Sequence, residues 1–248
     1  MKKILTALCV LSYGLYAQTL NIAVAANVSY AIKELKNEFN KTNPNTKVNI
    51  TLGSSGKLTA QIKNNAPYDI FMSANMKYPQ ALYNSNLALN KPQVYAMGSL
   101  SLFSKTAQDF SKGLDILKND DIKNIAIANP KTAPYGQASF EALKNSKKLD
   151  EIKKKFVYGE SISQTLSYTF TAANIGFIAK SMLYSSKMLN YKEGINFIHI
   201  DKNLYSPIEQ GVVILKNSKN KNEAKSFYKF LFSKEAKAIL KNYGYIVN

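Results

Sequence analysis

Residues 20–58 read LNIAVAANVSYAIKELKNEFNKTNPNTKVNITLGSSGKL, and this stretch decides the architecture. Residues 20–26 are apolar throughout, which reads as a buried strand. Asn27 follows as a helix cap, and Ala31, Leu35 and Phe39 then recur at helical spacing as far as Asn40. Asn43-Pro44-Asn45 is a turn. Val48, Ile50 and Leu52 alternate with Asn49 and Thr51, the pattern of a strand with one wetter face. Gly53-Ser54-Ser55-Gly56 ends that strand, Leu58 and Ile62 begin another helix, and residues 69–73 form a further short apolar strand. A repeating β-α-β-α-β order of this kind predicts an α/β fold, a largely parallel sheet with helices on its faces.

Working outward, residues 99–103 open a second series. Residues 124–128 (NIAIA) form a strand, and Pro134-Tyr135-Gly136 closes a loop feeding a helix over 137–143. Ser161-Ile162-Ser163 precedes a helix through about residue 171. Strands follow at 175–179, 195–200 and 212–215, then helices at 223–232 and 234–242. The chain contains no internal repeat and no low-complexity linker. Two lobes would therefore be joined by strands crossing between them, with 99–103 and 206–215 as the candidates.

At the other end, Met1 is followed by Lys2 and Lys3, an apolar run over 4–16, and Ala17. That is a charged n-region, a short h-region and a small residue at a cleavage point, so residues 1–17 read as an export signal. The run is too short to span a bilayer, and no second long apolar run follows. The sole Cys, Cys9, leaves with the signal. One His and one Cys in 248 residues exclude a Cys/His zinc site, an iron–sulfur site and a Cys–His catalytic pair.

The formal charge is +17, from 33 basic and 16 acidic residues, and every basic residue is Lys. Nucleic acid is not the expected partner. The protein reads as exported, and it lacks Arg, the residue suited to bidentate contacts with bases and phosphates. Its densest Lys run, 147–155, is interrupted by Asp150 and Glu151. A solvated Lys-rich surface is the simpler reading. A positive field that raises the encounter rate of a small anion is the functional one.

Four places share one grammar: a strand end, a short loop of small or polar residues, then a helix start. They are Ala26-Asn27, Ser54-Ser55-Gly56, Pro134-Tyr135-Gly136 and Ser161-Ile162-Ser163. Each exposes main-chain N–H groups without intrahelical partners and the positive end of a helix dipole, roughly half an elementary charge. Four converging ends would balance a small dianion, with Asn27 and Ser55 adding side-chain donors. Taken singly, each Ser or Asn reads as a plain cap, Tyr135-Gly136 as a turn, and Ile162 as a core residue. Catalytic motifs fit poorly. Gly53-Ser54-Ser55-Gly56 is not a G-x-S-x-G elbow, and Gly56-Lys57 lacks the flanking residues of a P-loop. An exported serine hydrolase would have to pair Ser55 with His199, and a strand histidine is more often structural. A Lys-rich surface protein that binds polyanions without a cleft is a further alternative.

The segments VAANVSYAIKEL (24–35), GSSGKLTAQI (53–62), APYDIFMSAN (66–75), NPKTAPYGQASFEAL (129–143) and ANIGFIAKS (173–181) resemble, in order, those of the molybdate-binding proteins that feed ABC transporters. The resemblance implies a type II periplasmic-binding-protein fold, each lobe a mixed, mostly parallel sheet flanked by helices. The division expected is 18–98 plus 205–248 for one lobe and 99–204 for the other. It implies a periplasmic, non-enzymatic monomer without a cofactor that captures molybdate, and tungstate with it, and delivers the ion to a permease in the inner membrane. A receptor for another tetrahedral oxyanion such as sulfate is the near alternative. Position by position, the resemblance makes Asn27, Ser55, Tyr135 and Ile162 the ligand contacts, with Tyr135 and Ile162 acting through their main-chain N–H groups. They touch the metal only as molybdate oxyanion, not as a bare cation. Some members place a ligand-binding Tyr after the G-[IF]-[VI] strand. Ala179 stands there in this chain, and Asn27, in place of Ser, is expected to supply the missing hydrogen bond.

Overall fold

The structure, a computed structural model, describes residues 18–247; the export signal expected over 1–17 lies outside them. In the first half, strand β1 (Gln18–Ala25) leads through a single 3-10 turn (Ala26–Val28) to helix α1 (Ala31–Thr42). Then come β2 (Thr46–Gly53), α2 (Ser55–Lys63), β3 (Ile70–Ser73), α3 (Lys77–Asn84) and β4 (Gln93–Gly98). After Ser99 the chain continues as β5 (Leu100–Phe103), β6 (Ile125–Ala128), α4 (Pro134–Asn145), the short α5 (Leu149–Ile152) and β7 (Phe156–Gly159). It closes with α6 (Ile162–Thr171), β8 (Ile175–Ala179), β9 (Phe197–His199), β10 (Ile208–Ile214), α7 (Lys221–Phe230) and α8 (Lys234–Asn242).

Two five-stranded sheets result, ordered β2-β1-β3-β10-β4 and β7-β6-β8-β5-β9. Each is mixed. In the first, β2-β1-β3 are parallel and β10 runs antiparallel to β3 and β4; in the second, β7-β6-β8 are parallel and β5 runs antiparallel to β8 and β9. The strand that crosses between the sheets makes each of them mixed: β5 where the chain enters the second, β10 where it returns to the first.

The burial pattern explains the unbroken apolar run of β1. Leu20, Ile22 and Val24 pack with Ile32, Leu35 and Phe39 of α1 and Phe227 of α7 on one face. Ala23 faces Leu58 and Ile62 of α2, Phe71 and Leu82 on the other. Both faces are covered, so alternation disappears, as it does in doubly covered sheets. Phe39 meets Phe227 edge-on with ring centroids 5.0 Å apart, fixing α1 against the C-terminal helices.

Several expectations shift. Asn27 does not cap α1: the 3-10 turn intervenes, and Tyr30 holds the cap position without a side-chain bond. Helix α4 starts at Pro134, three residues before the predicted start, because proline suits a first helical position. Pro134-Tyr135-Gly136 is thus a helical first turn, not a loop. The strand expected over 195–200 shortens to Phe197–His199, while that over 212–215 extends back to Ile208. Sequence patterning missed β4 and β7, whose burial is patchy (eeBBii and iieB).

Candidate ligand site

The four strand ends meet. Ala25 and Gly53, the last residues of β1 and β2, are register partners, and so are Ala128 and Gly159 at the ends of β6 and β7. Asn27 and Ser55 follow the first pair; Tyr135 and Ile162 open the helices after the second. The carboxyl ends of parallel strands are where open α/β sheets bind ligands, and here two such edges face each other. A cavity of about 10 Å3 lies between them, lined by Ala25, Ala26, Asn27, Gly53, Ser54, Ser55, Ala74, Ala133, Pro134, Tyr135 and Ile162. Its size is below the several hundred Å3 typical of sites for organic ligands. No charged side chain lines it. Among the described residues no group of three or more His, Cys, Asp or Glu could hold a metal ion.

Three of the four candidate residues are placed by their helices. Ser55, Tyr135 and Ile162 stand in the first turns of α2, α4 and α6, where main-chain N–H groups lack intrahelical acceptors. Ser55 is 1% exposed, and its Oγ accepts a hydrogen bond from the Ala74 N–H at 3.0 Å. One lone pair is thereby used and the hydroxyl proton is left to donate into the cavity. Ala74 carries the same signal as the other four places, a small residue directly after a strand end.

Asn27 departs from expectation. Its Nδ2 donates to Gln210 Oε1 at 2.7 Å and to the Tyr245 hydroxyl at 2.8 Å, while its Oδ1 is buried without a partner. The side-chain amide protons are both spent inside the protein. Nothing in the local sequence marks Gln210 or Tyr245 as its partners. Burial pushes the Tyr135 and Tyr245 phenols well above their usual range, so both remain neutral. Ala179 is fully buried at the end of β8.

The two halves are bonded across the cleft. Ser163 Oγ donates to the Ala26 carbonyl at 3.0 Å and Ser181 Oγ to the Asn27 carbonyl at 2.8 Å. At the rim the Gly56 N–H donates to the Thr132 carbonyl at 2.8 Å, Tyr78 donates to the Lys131 carbonyl at 3.2 Å, and Lys57 pairs with Glu160 at 2.6 Å. Gly56 is required by this approach: a Cβ there would stand 2.9 Å from Thr132 Cα and 2.9 Å from the Tyr78 hydroxyl.

His199 lies elsewhere. Its Nδ1 is 2.9 Å from Ser101 Oγ, and Ser101 is fully buried on β5. Ser55 bonds to Ala74 instead, so the Ser55–His199 pair is not formed. The Lys-rich run is largely answered locally, with Lys148 on Asp115 at 2.5 Å, Lys153 on Asp150 at 2.9 Å, and Lys155 donating to the Leu117 and Asn119 carbonyls.

Two facing sheets, joined by two crossings and clasping a small uncharged cavity, define a solute-binding protein. The chain belongs to the bacterial extracellular solute-binding protein family, whose model matches residues 20–246. Within it, the chain is 33% identical over 231 residues to the molybdate-binding protein ModA of Azotobacter vinelandii (92% of this chain, 90% of that one). It is 34% identical over 226 residues to ModA of Rhodobacter capsulatus (90% and 86%). The solved Azotobacter vinelandii periplasmic molybdate-binding protein superposes with a TM-score of 0.85 at 32% identity, covering 92% of this chain and 99% of that one. The family resemblance and two-lobed fold expected from the sequence are borne out. Among the described residues no helix is long and apolar enough to cross a membrane.

Proposed function

We propose that this chain captures molybdate in the periplasm, with tungstate as an accepted isostere, and passes it as a monomer to an ABC permease without covalent chemistry. The moving bodies are residues 18–98 with 205–248, and residues 99–204. The supporting observation is the convergence of four helix starts on one small cavity lined by no charged group. Main-chain N–H groups of Asn27, Ser55, Tyr135 and Ile162, and the Ser55 hydroxyl, donate to the oxygens of the ion. The dipoles of α2, α4 and α6 offset its double charge. A ring of donors without an acceptor suits an anion that carries no proton, and cavity size separates molybdate from the smaller sulfate.

Thermal melting with molybdate, tungstate, sulfate and phosphate tests the reading. A ligand at 100 times its Kd stabilises the protein by about 2.7 kcal/mol, which for a chain of this size raises Tm by roughly 5–10 °C. Molybdate and tungstate should produce that shift and the other two little. Equal shifts with all four would refute selectivity, and no shift with any would refute the function.

Closure gives a second expected result. Gly56→Ala forces the rim apart and so stretches and weakens the Gly56–Thr132 hydrogen bond. Molybdate affinity should fall on the order of 10-fold, mostly through faster release in stopped-flow measurements, while the ligand-free Tm barely moves. An unchanged dissociation rate would show that the seam has no part in retention.

A further inference from the structure

Among the described residues three α-helices have a serine of extended backbone at the cap position, and they differ in one respect. Ser161 accepts a hydrogen bond from the Gln164 N–H at 3.3 Å, capping α6, and Ser233 accepts from the Ala236 N–H at 3.2 Å, capping α8. Ser54, which precedes α2, makes no such bond. The second amide of its helix, that of Gly56, has gone to Thr132 across the cleft. The Ser54 hydroxyl takes no part in capping. It is also 4% exposed, its Oγ is buried without any partner, and Ser54 lines the same cavity as Ser55. A buried hydroxyl without a partner is unfavourable, and in native proteins it calls for an explanation.

We propose that the Ser54 hydroxyl is a further ligand donor. It binds one oxygen of the oxyanion beside the Ser55 hydroxyl, so that α2 contributes two adjacent hydroxyls as well as its first amide. This rests on the oxyanion-binding reading above. The physical reason is that the Ser54 hydroxyl is buried without a protein partner at a residue that lines the cavity, while the Gly56 amide of the same turn bonds Thr132 across the rim. Rim closure and ligand contact are thereby tied to one turn of helix. Before the ion arrives, the same hydroxyl is an unpaid cost.

The test is calorimetric titration of the full mature chain, its Ser54→Ala variant and its Ser54→Gly variant with sodium molybdate and sodium tungstate, together with ligand-free melting. Both variants should bind about 10- to 100-fold more weakly, the weight of one hydrogen bond to a charged partner. Ser54→Ala should melt without ligand at a temperature equal to or above that of the parent, because it removes an unsatisfied buried group and no cap. A merely structural serine would give the opposite pattern, a lowered ligand-free Tm and unchanged Kd, and that result overturns the proposal. A parent that binds neither anion would instead overturn the functional reading and the inference with it. Parent-like affinity in both variants, with the parent binding tightly, overturns the role of Ser54 alone.

Discussion

Gly136→Ala is expected to destabilise the protein by about 3 kcal/mol or more. Gly136 is the third residue of α4 and lies against the end of β6. An added Cβ would fall on the Ala128 carbonyl oxygen and within 2.7 Å of its carbonyl carbon. Those are backbone atoms of a strand paired on both sides, so neither can yield cheaply. Relief requires α4 to lift off the sheet, opening the packing of Ala138, Ala142 and Leu143 against the second core. For a chain of this length the loss corresponds to a Tm lower by roughly 6–12 °C, measurable by calorimetry or circular dichroism. Lifting α4 also carries the Tyr135 N–H away from the cavity, so affinity should fall in parallel. A variant melting within about 2 °C of the parent would mean that the helix start adapts and that its close seat on β6 is not required.

Ser55→Ala is expected to weaken molybdate binding by about 1.5–3 kcal/mol, roughly 10- to 150-fold. Two effects combine. The hydroxyl that donates into the cavity is deleted, and the buried Ala74 N–H loses its acceptor. The second effect lowers ligand-free stability as well, by about 1–3 kcal/mol for an orphaned buried donor. Ser55→Ala should therefore lower both the ligand-free Tm and the affinity, whereas Ser54→Ala lowers affinity alone. Calorimetry that finds Ser55→Ala melting early yet binding as the parent does would show that Ser55 only braces the turn after β3.

Much of the site was legible because its grammar is local. A strand end followed by a small polar residue and a helix start exposes main-chain donors wherever it occurs, and Ser55, Tyr135 and Ile162 stand in such first turns. The errors were local as well. Asn27 reads as a cap because Asn commonly caps, yet a 3-10 turn separates it from α1. The Pro134 segment reads as a turn because Pro and Gly favour turns, yet proline equally opens a helix. Strands β4 and β7 escaped notice because each is only partly buried, so neither shows a clean period.

What residues 18–247 determined alone is a set of short-range facts: where the apolar periods run, which strand ends lead into helices, and which amides those helices leave unpaired. Each follows from backbone geometry over a few consecutive residues. Only the tertiary structure decided how those groups are used. It spends the Asn27 amide on Gln210 and Tyr245, partners 183 and 218 residues away. It gives the Gly56 N–H to Thr132, and it leaves the Ser54 hydroxyl buried without a partner. The Asn27 bonds depend on how the two ends of the chain close one sheet and its helices, the Gly56 bond on how the two sheets approach each other, and no pattern within a single segment carries those distances.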